Sequence, residues 1–536
     1  MGVGKRDLLF LTVVLGGAGI MAAGLLRTSG STPAQASSTA HVKPDLGPIV
    51  SVVDASFRRD WSERGLAGAP AADELAVMRR LSLALCGSIP SLEEIRRFEA
   101  RPNEGRIEAW LDDLLLDRRC SDYLAERFAR VYVGTEDGPF VLFRRRRFVS
   151  WLSEVILENR RYDVLVKDLV ADRGLWTDHP ATNFVSVTFD PDLGRPTPER
   201  LAARVSRAFL GARIDCAQCH DHPFQHWKQA DFRGLASFFG GVHSDLLGIR
   251  DAANDYRPPD RKTREPVAVD PKVPFCPELR PDSGSPREQL AAWVVDTRNP
   301  NFARATVNRL WALLFGRPLA EPVDDLPAAG KLHPALGLLA DDFASSGFDL
   351  HRLIRVIAAT EVFRIDSATA ETAAPGQEEA WAVFPMTRLR PEQVAGALFQ
   401  AASITTLGPQ SHWVFRLISY TGRNDFVRRY GDTGEDEFDA RGGTIPQRLL
   451  LMNGEIVREK IKDGFFNATT RIAELAPGDR QAVETAYLAV FTRRPTPEES
   501  SYFVAKLAGT TGKERKDRLT DLFWSLLNTT EFSWNH

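Results

Sequence analysis

Residues 216–220 read Cys-Ala-Gln-Cys-His, two thiols three positions apart with an imidazole directly after the second. That order suits covalent attachment of a c-type haem. A tight turn brings thiols at this spacing to one side of the chain, where Cys216 and Cys219 reach neighbouring vinyl groups. His220 then turns under the ring as an axial iron ligand. Met78 and Met386 bracket a long stretch without methionine, so the sixth ligand is sought among nearby imidazoles, His226 or His243. Two such ligands favour low-potential electron transfer; a vacant position favours ligand binding or peroxide chemistry.

Other chemistries fit the same residues. Cys216, Cys219, His220, His222, His226 and His243 offer enough thiolate and imidazole for a tetrahedral zinc site. The loop between the cysteines and these histidines is, however, much shorter than in zinc fingers. A Cys216–Cys219 disulfide would make the turn a plain staple. No βαβ pattern surrounds the pair, which argues against a thioredoxin-type role. Farther along, Asp324-Asp325 and His333 are candidate acid/base groups of a hydrolase or lyase, weighed against a capping or salt-bridge role for the aspartates. Arg144–Arg147, flanked by Phe143 and Phe148, read as a solvated helix face or an anion contact. Asn308, Arg309 and Trp311 sit on a helix whose Leu310, Leu313 and Leu314 face a core, so they read as packing and surface residues. No Gly-rich phosphate loop, Ser-His-Asp ordering or His-Glu-x-x-His string is present.

The elements that must position these groups read as helices. Leu75, Met78, Leu81 and Leu85 recur at helical spacing. Ser91 with Glu94 predicts a capping box. Thr197-Pro198-Glu199 opens a helix running to Leu210, immediately before the motif. Eight prolines between Arg250 and Pro286 exclude a regular helix there. Helices resume over 289–295, 303–315 and 350–360, and from Pro391. Thr444 with Gln447 and Thr496 with Glu499 cap two more, and a last one runs through Leu519 to Leu527. The fold class is mainly α: two helical domains, 71–250 and 287–536, joined by a Pro-rich extended connector, 251–286.

Ahead of them, Gly4-Lys5-Arg6 precedes an uncharged apolar run, Leu8–Leu26. At about 19 residues it is just long enough to span a bilayer. Residues 1–27 are thus expected to be a membrane anchor or signal, with 28–70 a polar linker. The flanking basic residues predict an exported chain on the periplasmic side of the bacterial inner membrane, anchored or secreted. Covalent haem attachment belongs to that side. Cys86, Cys120 and Cys276 have pairing available in an oxidising compartment, in a pattern that spacing leaves open. The net charge of −3 gives nucleic acid no electrostatic footprint.

The motifs also resemble a known family. Phe209-Leu210-Gly211, Cys216 through Phe224, Trp227, Asp231-Phe232 and Leu235–Phe239, with Arg79-Arg80-Leu81 and Gly87–Ser91 upstream, are similar to the planctomycete cytochrome-C-like domain of unknown function. Cys86 departs from it, standing where that domain generally has Thr, and residues 134–147 diverge. Asn301–Trp311, Phe315-Gly316-Arg317, Pro322–Asp325, Ser346–Leu350 and Asn528–Phe532 resemble the planctomycete-specific domain that usually follows. The resemblance implies a mostly helical, exported bacterial protein and no defined reaction. Together these readings predict an exported c-type-haem-binding protein, acting in extracytoplasmic electron transfer or as a redox enzyme, with a redox partner protein and a membrane contact through its N-terminal helix. The alternatives are a metal- or disulfide-stabilised binding scaffold, and a polysaccharide hydrolase or lyase with its site in the second domain.

Overall fold

The computed structural model describes residues 45–135, 143–222, 226–245, 247–260, 263–327, 332–367, 376–407, 425–431, 444–461 and 467–536, with 438 and 464. The expected anchor, Leu8–Leu26, lies outside these residues. Among the described residues no helix is long and apolar enough to cross a membrane.

The chain is mainly helical, as its periodicity predicts, and the local rules operate where they were read. Ser91 and Glu94 close a reciprocal capping box on Leu92–Glu99, and Thr444 with Gln447 and Thr496 with Glu499 do the same downstream. Strand structure among the described residues is confined to two-stranded antiparallel pairs.

One expectation is overturned. The linker expected over 28–70 contains helix α1, Gly47–Glu63. Val53, Phe57 and Trp61 repeat every four residues and are buried, so this stretch carries an apolar stripe that must pack. The polar residues between them hid that stripe in a reading based on composition.

After α1 come α2 (Glu74–Cys86) and α3 (Arg118–Val133), which a disulfide between Cys86 and Cys120 ties together. Helix α2 carries two consecutive buried arginines. Arg80 donates to the carbonyls of Phe363, Ile365 and His536, and its guanidinium lies 3.7 Å from the centre of the Phe384 ring. Arg79 donates to the Val490 carbonyl at 3.2 Å. Burial pushes their pKa values down, to about 10 for Arg79 and about 9 for Arg80. The first segment of the chain is thereby bound to the last.

Helix α4 (Pro198–Leu210) packs between α5 (Gln229–Ser237) and α6 (Pro300–Phe315). Among the described residues the Pro-rich connector 251–286 holds one helical turn, the 3-10 turn Pro277–Leu279, before a helix begins at Pro286. It does not divide the core. Residues from Val53 to Phe384 share one apolar cluster, and a second gathers Leu389–Phe532 with Leu83 and Ile89. Leu46–His536 form one compact unit.

Candidate functional site

The Cys216–His220 turn begins where α4 must stop. Gly211 caps that helix in the left-handed conformation, φ +54°. A Cβ there would stand 2.9 Å from Leu326, so glycine serves both the backbone angle and the close approach. The Leu326 N–H donates to the Gly211 carbonyl at 2.8 Å. Two steps on, the Arg213 guanidinium forks onto Asp324, with Nε and a terminal nitrogen 3.0 and 2.7 Å from its Oδ1. The Arg213 backbone N–H donates to Asp325 Oδ1 at 3.1 Å. Both aspartates of the second segment thus dock the turn onto their own loop.

Residues Ile214–Ala217 then form a 3-10 turn whose Ile214 and Ala217 are buried. The positions between and after them face outward: Cys216, Cys219 and His220 are all exposed. Both thiols are free, so the Cys216–Cys219 disulfide considered from the sequence is not formed. The disulfide in the structure is Cys86–Cys120, and Cys276 is unpaired. Gln229 Nε2 braces the turn, donating to the carbonyls of Gln218 and Cys219 at 3.0 Å each. Arg207 holds Asp215 in a two-pronged pair at 3.0 and 2.5 Å, next to Cys216.

His220 is oriented by its backbone. Its Nδ1 lies 2.7 Å from the Asp221 carbonyl oxygen. In the tautomer that donates there, Nε2 is left as the free ligating atom, the arrangement by which metal-bound imidazoles are usually fixed. Two free outward thiols and such an imidazole form a donor set that fits haem c. Cys216, Cys219 and His220 do not line the large cleft described below; Pro223–Gln225, directly beyond them, lie outside the described residues.

The other imidazoles take separate places. His226 is exposed with its ring 4.0 Å from that of Trp227. His243 lies in a strand, Val242–Asp245, opposite Arg250. His222 donates its backbone N–H to the Trp227 carbonyl. Among the described residues no three His, Cys, Asp or Glu side chains gather as a metal site.

The acid/base candidates are also apart. His333 is a helix cap: its Nδ1 accepts from the Ala335 N–H, and its ring stacks 4.3 Å from that of Phe57. No hydrogen bond or ion pair joins it to Asp324 or Asp325, whose carboxylates hold Arg213. In the arginine run, Arg145 pairs with Glu126 and Arg144 lies over Trp176. These are structural contacts.

A second region was missed by sequence reasoning. A cleft of about 900 Å³ opens between α4, α6 and the C-terminal residues. Asn308 of α6 shapes it, exchanging two hydrogen bonds with the backbone of Ala320 at 2.7 and 2.9 Å and so fixing the loop that carries Asp324. Its neighbour Arg309 lines the cleft and is 6% exposed. Remote segments meet here as well: Thr387–Arg388 pairs with Trp534–Asn535. Among the described residues seven arginines reach the wall. The motif Asn308-Arg309 was visible in the sequence, but nothing local to it indicates that Arg388 and Asn535 lie on the same wall.

Comparison with known families agrees with these motifs. Residues 52–244 match PSCyt2, a protein family of unknown function (DUF1549), and residues 286–418 match PSD1, a second protein family of unknown function (DUF1553). No curated protein and no solved structure matches the chain. The free thiols and His220 fall in the first stretch and Arg309 in the second, and over these two stretches the chain belongs to the PSCyt2 and PSD1 families.

Proposed function

We propose that the protein is an exported c-type-haem protein serving extracytoplasmic electron transfer or redox chemistry. Cys216 and Cys219 would hold the haem covalently, and His220 Nε2 would be the ligating atom this turn offers to its iron. The two thiols would form their thioether links by addition of S–H, which leaves no electrons to be removed and so would need no oxidant. The bound haem would supply one-electron iron chemistry.

The observation that carries this reading is the state of the motif. Both thiols are free and outward-facing while His220 Nδ1 is tied to the Asp221 carbonyl. The Cys86–Cys120 disulfide supports export, because such bonds persist outside the cytosol. The basic residues and apolar run at the N-terminus support the same compartment, with the chain anchored in or released from the inner membrane.

The test is a visible spectrum of protein made with and without the cytochrome c maturation machinery. A Soret band that appears only with the machinery and survives acid-acetone extraction is expected. Stoichiometric zinc with no Soret band would replace this reading with the metal-stabilised scaffold.

A further inference from the structure

We propose that the cleft between α4, α6 and the C-terminal residues is a binding site for a small organic anion. The charge of its wall is the first reason. Four of its arginines have carboxylate partners: Arg130 with Glu126, Arg207 with Asp215, Arg213 with Asp324, and Arg390 with Glu392. Arg309, Arg317 and Arg388 have none among the described residues. Arg317 donates to the Glu378 carbonyl and Arg388 to the Tyr430 hydroxyl. Of the three carboxylates on the wall among the described residues, Asp324 is already taken by Arg213, and Glu321 and Glu378 are exposed.

Arg309 is the second and stronger reason. It is more than nine-tenths buried, it lines the cleft, and among the described residues it makes no ion pair. Holding a guanidinium so far from water is costly, and a planar or tetrahedral oxyanion paired with it offsets that cost.

Size decides between an ion and a molecule. A cavity of about 900 Å³ is that of an organic ligand rather than a lone inorganic anion. Trp534 and Tyr430 supply apolar wall beside the arginines. The recognised chemistry is therefore an oxyanion, carboxylate or phosphate, on a compact carbon frame.

The full chain is titrated calorimetrically at low salt with citrate and with glucose 6-phosphate, glucose being the neutral control. Saturable binding of at least one anion and none of glucose is expected. The better binder identifies whether carboxylate or phosphate is the recognised group. Arg309→Met and Arg388→Met should each raise Kd at least about tenfold, the loss of a charge-assisted hydrogen-bond pair. Thermal unfolding reports whether each variant is folded; the half-buried Arg388 decides the matter if Arg309→Met is not. Binding of neither anion, equal binding of glucose, or an unchanged Kd in Arg388→Met overturns the proposal. None of these readouts depends on haem.

Discussion

The Cys216–His220 turn and the arginine cleft differ in how their chemistry is held. The turn keeps its reactive atoms on five consecutive residues, exposed and with few partners of their own. The cleft gathers its polar side chains from remote segments: a buried Arg309 from α6, a half-buried Arg388 from near the middle of the second segment, and a buried Asn535 from the chain's end. A covalently held group needs only local spacing, since the bonds themselves secure it. A non-covalently held anion needs charges fixed in advance by the rest of the fold. The two regions touch through Arg207, which lines the cleft and pins Asp215 beside Cys216.

If the turn is a site of attachment and not a structural element, its chemistry and the fold's stability separate cleanly. Replacing Cys216 and Cys219 by Ser should abolish covalent haem. It should shift unfolding of the haem-free chain by no more than about 0.5 kcal/mol, since both side chains are exposed. A large loss of stability in the haem-free chain would make the turn a scaffold element. Cys86→Ser with Cys120→Ser is the converse: haem attachment retained, and denaturant unfolding showing a loss of about 3–4 kcal/mol for opening a link across 34 residues.

On the cleft side, Asn308→Ala leaves the Ala320 N–H and C=O unpaired in a buried place, and a loss of about 1–3 kcal/mol is expected in the same measurement. Weakened anion binding should accompany it, because the Asp324 loop loses its anchor. Gly211→Ala strains the junction between the two regions. A left-handed alanine costs about 1–2 kcal/mol, and the methyl would also press on Leu326.

The smallest effect is one of pH. Burial lowers the pKa of His333 and of His351 below the ordinary 6.5. The unfolded chain therefore binds protons that the folded chain refuses. Stability is unaffected by these two groups above pH 6.5 and falls as the pH drops below it. A melting temperature lower at pH 5 than at pH 7 is expected, with a smaller difference in His351→Asn.

What the sequence made legible follows the same division between local and remote. The caps at Ser91, Thr444 and Thr496 and the helix opening at Pro198 are four-residue signals, and all four are realised. The free thiols and His220 were candidates for the same reason. Helix α1 was missed because Val53, Phe57 and Trp61 sit among polar residues, and their partners lie hundreds of residues away: the Trp61 indole donates to the Ala380 carbonyl. Arg79 and Arg80 stand beside the leucines of α2 in the sequence, but nothing local shows that carbonyls from residues 363–536 bury them. Arg309 was assigned to packing or surface for want of the same information. Spacing reveals what a segment does for itself, and not what another segment does to it.

The central claim is tested most directly by mass spectrometry of the protease-digested chain after expression with the maturation machinery. The account predicts that the peptide spanning Cys216 to His220 carries the mass of one haem, joined through both sulfurs. Recovery of that peptide with two free, alkylatable thiols would contradict it.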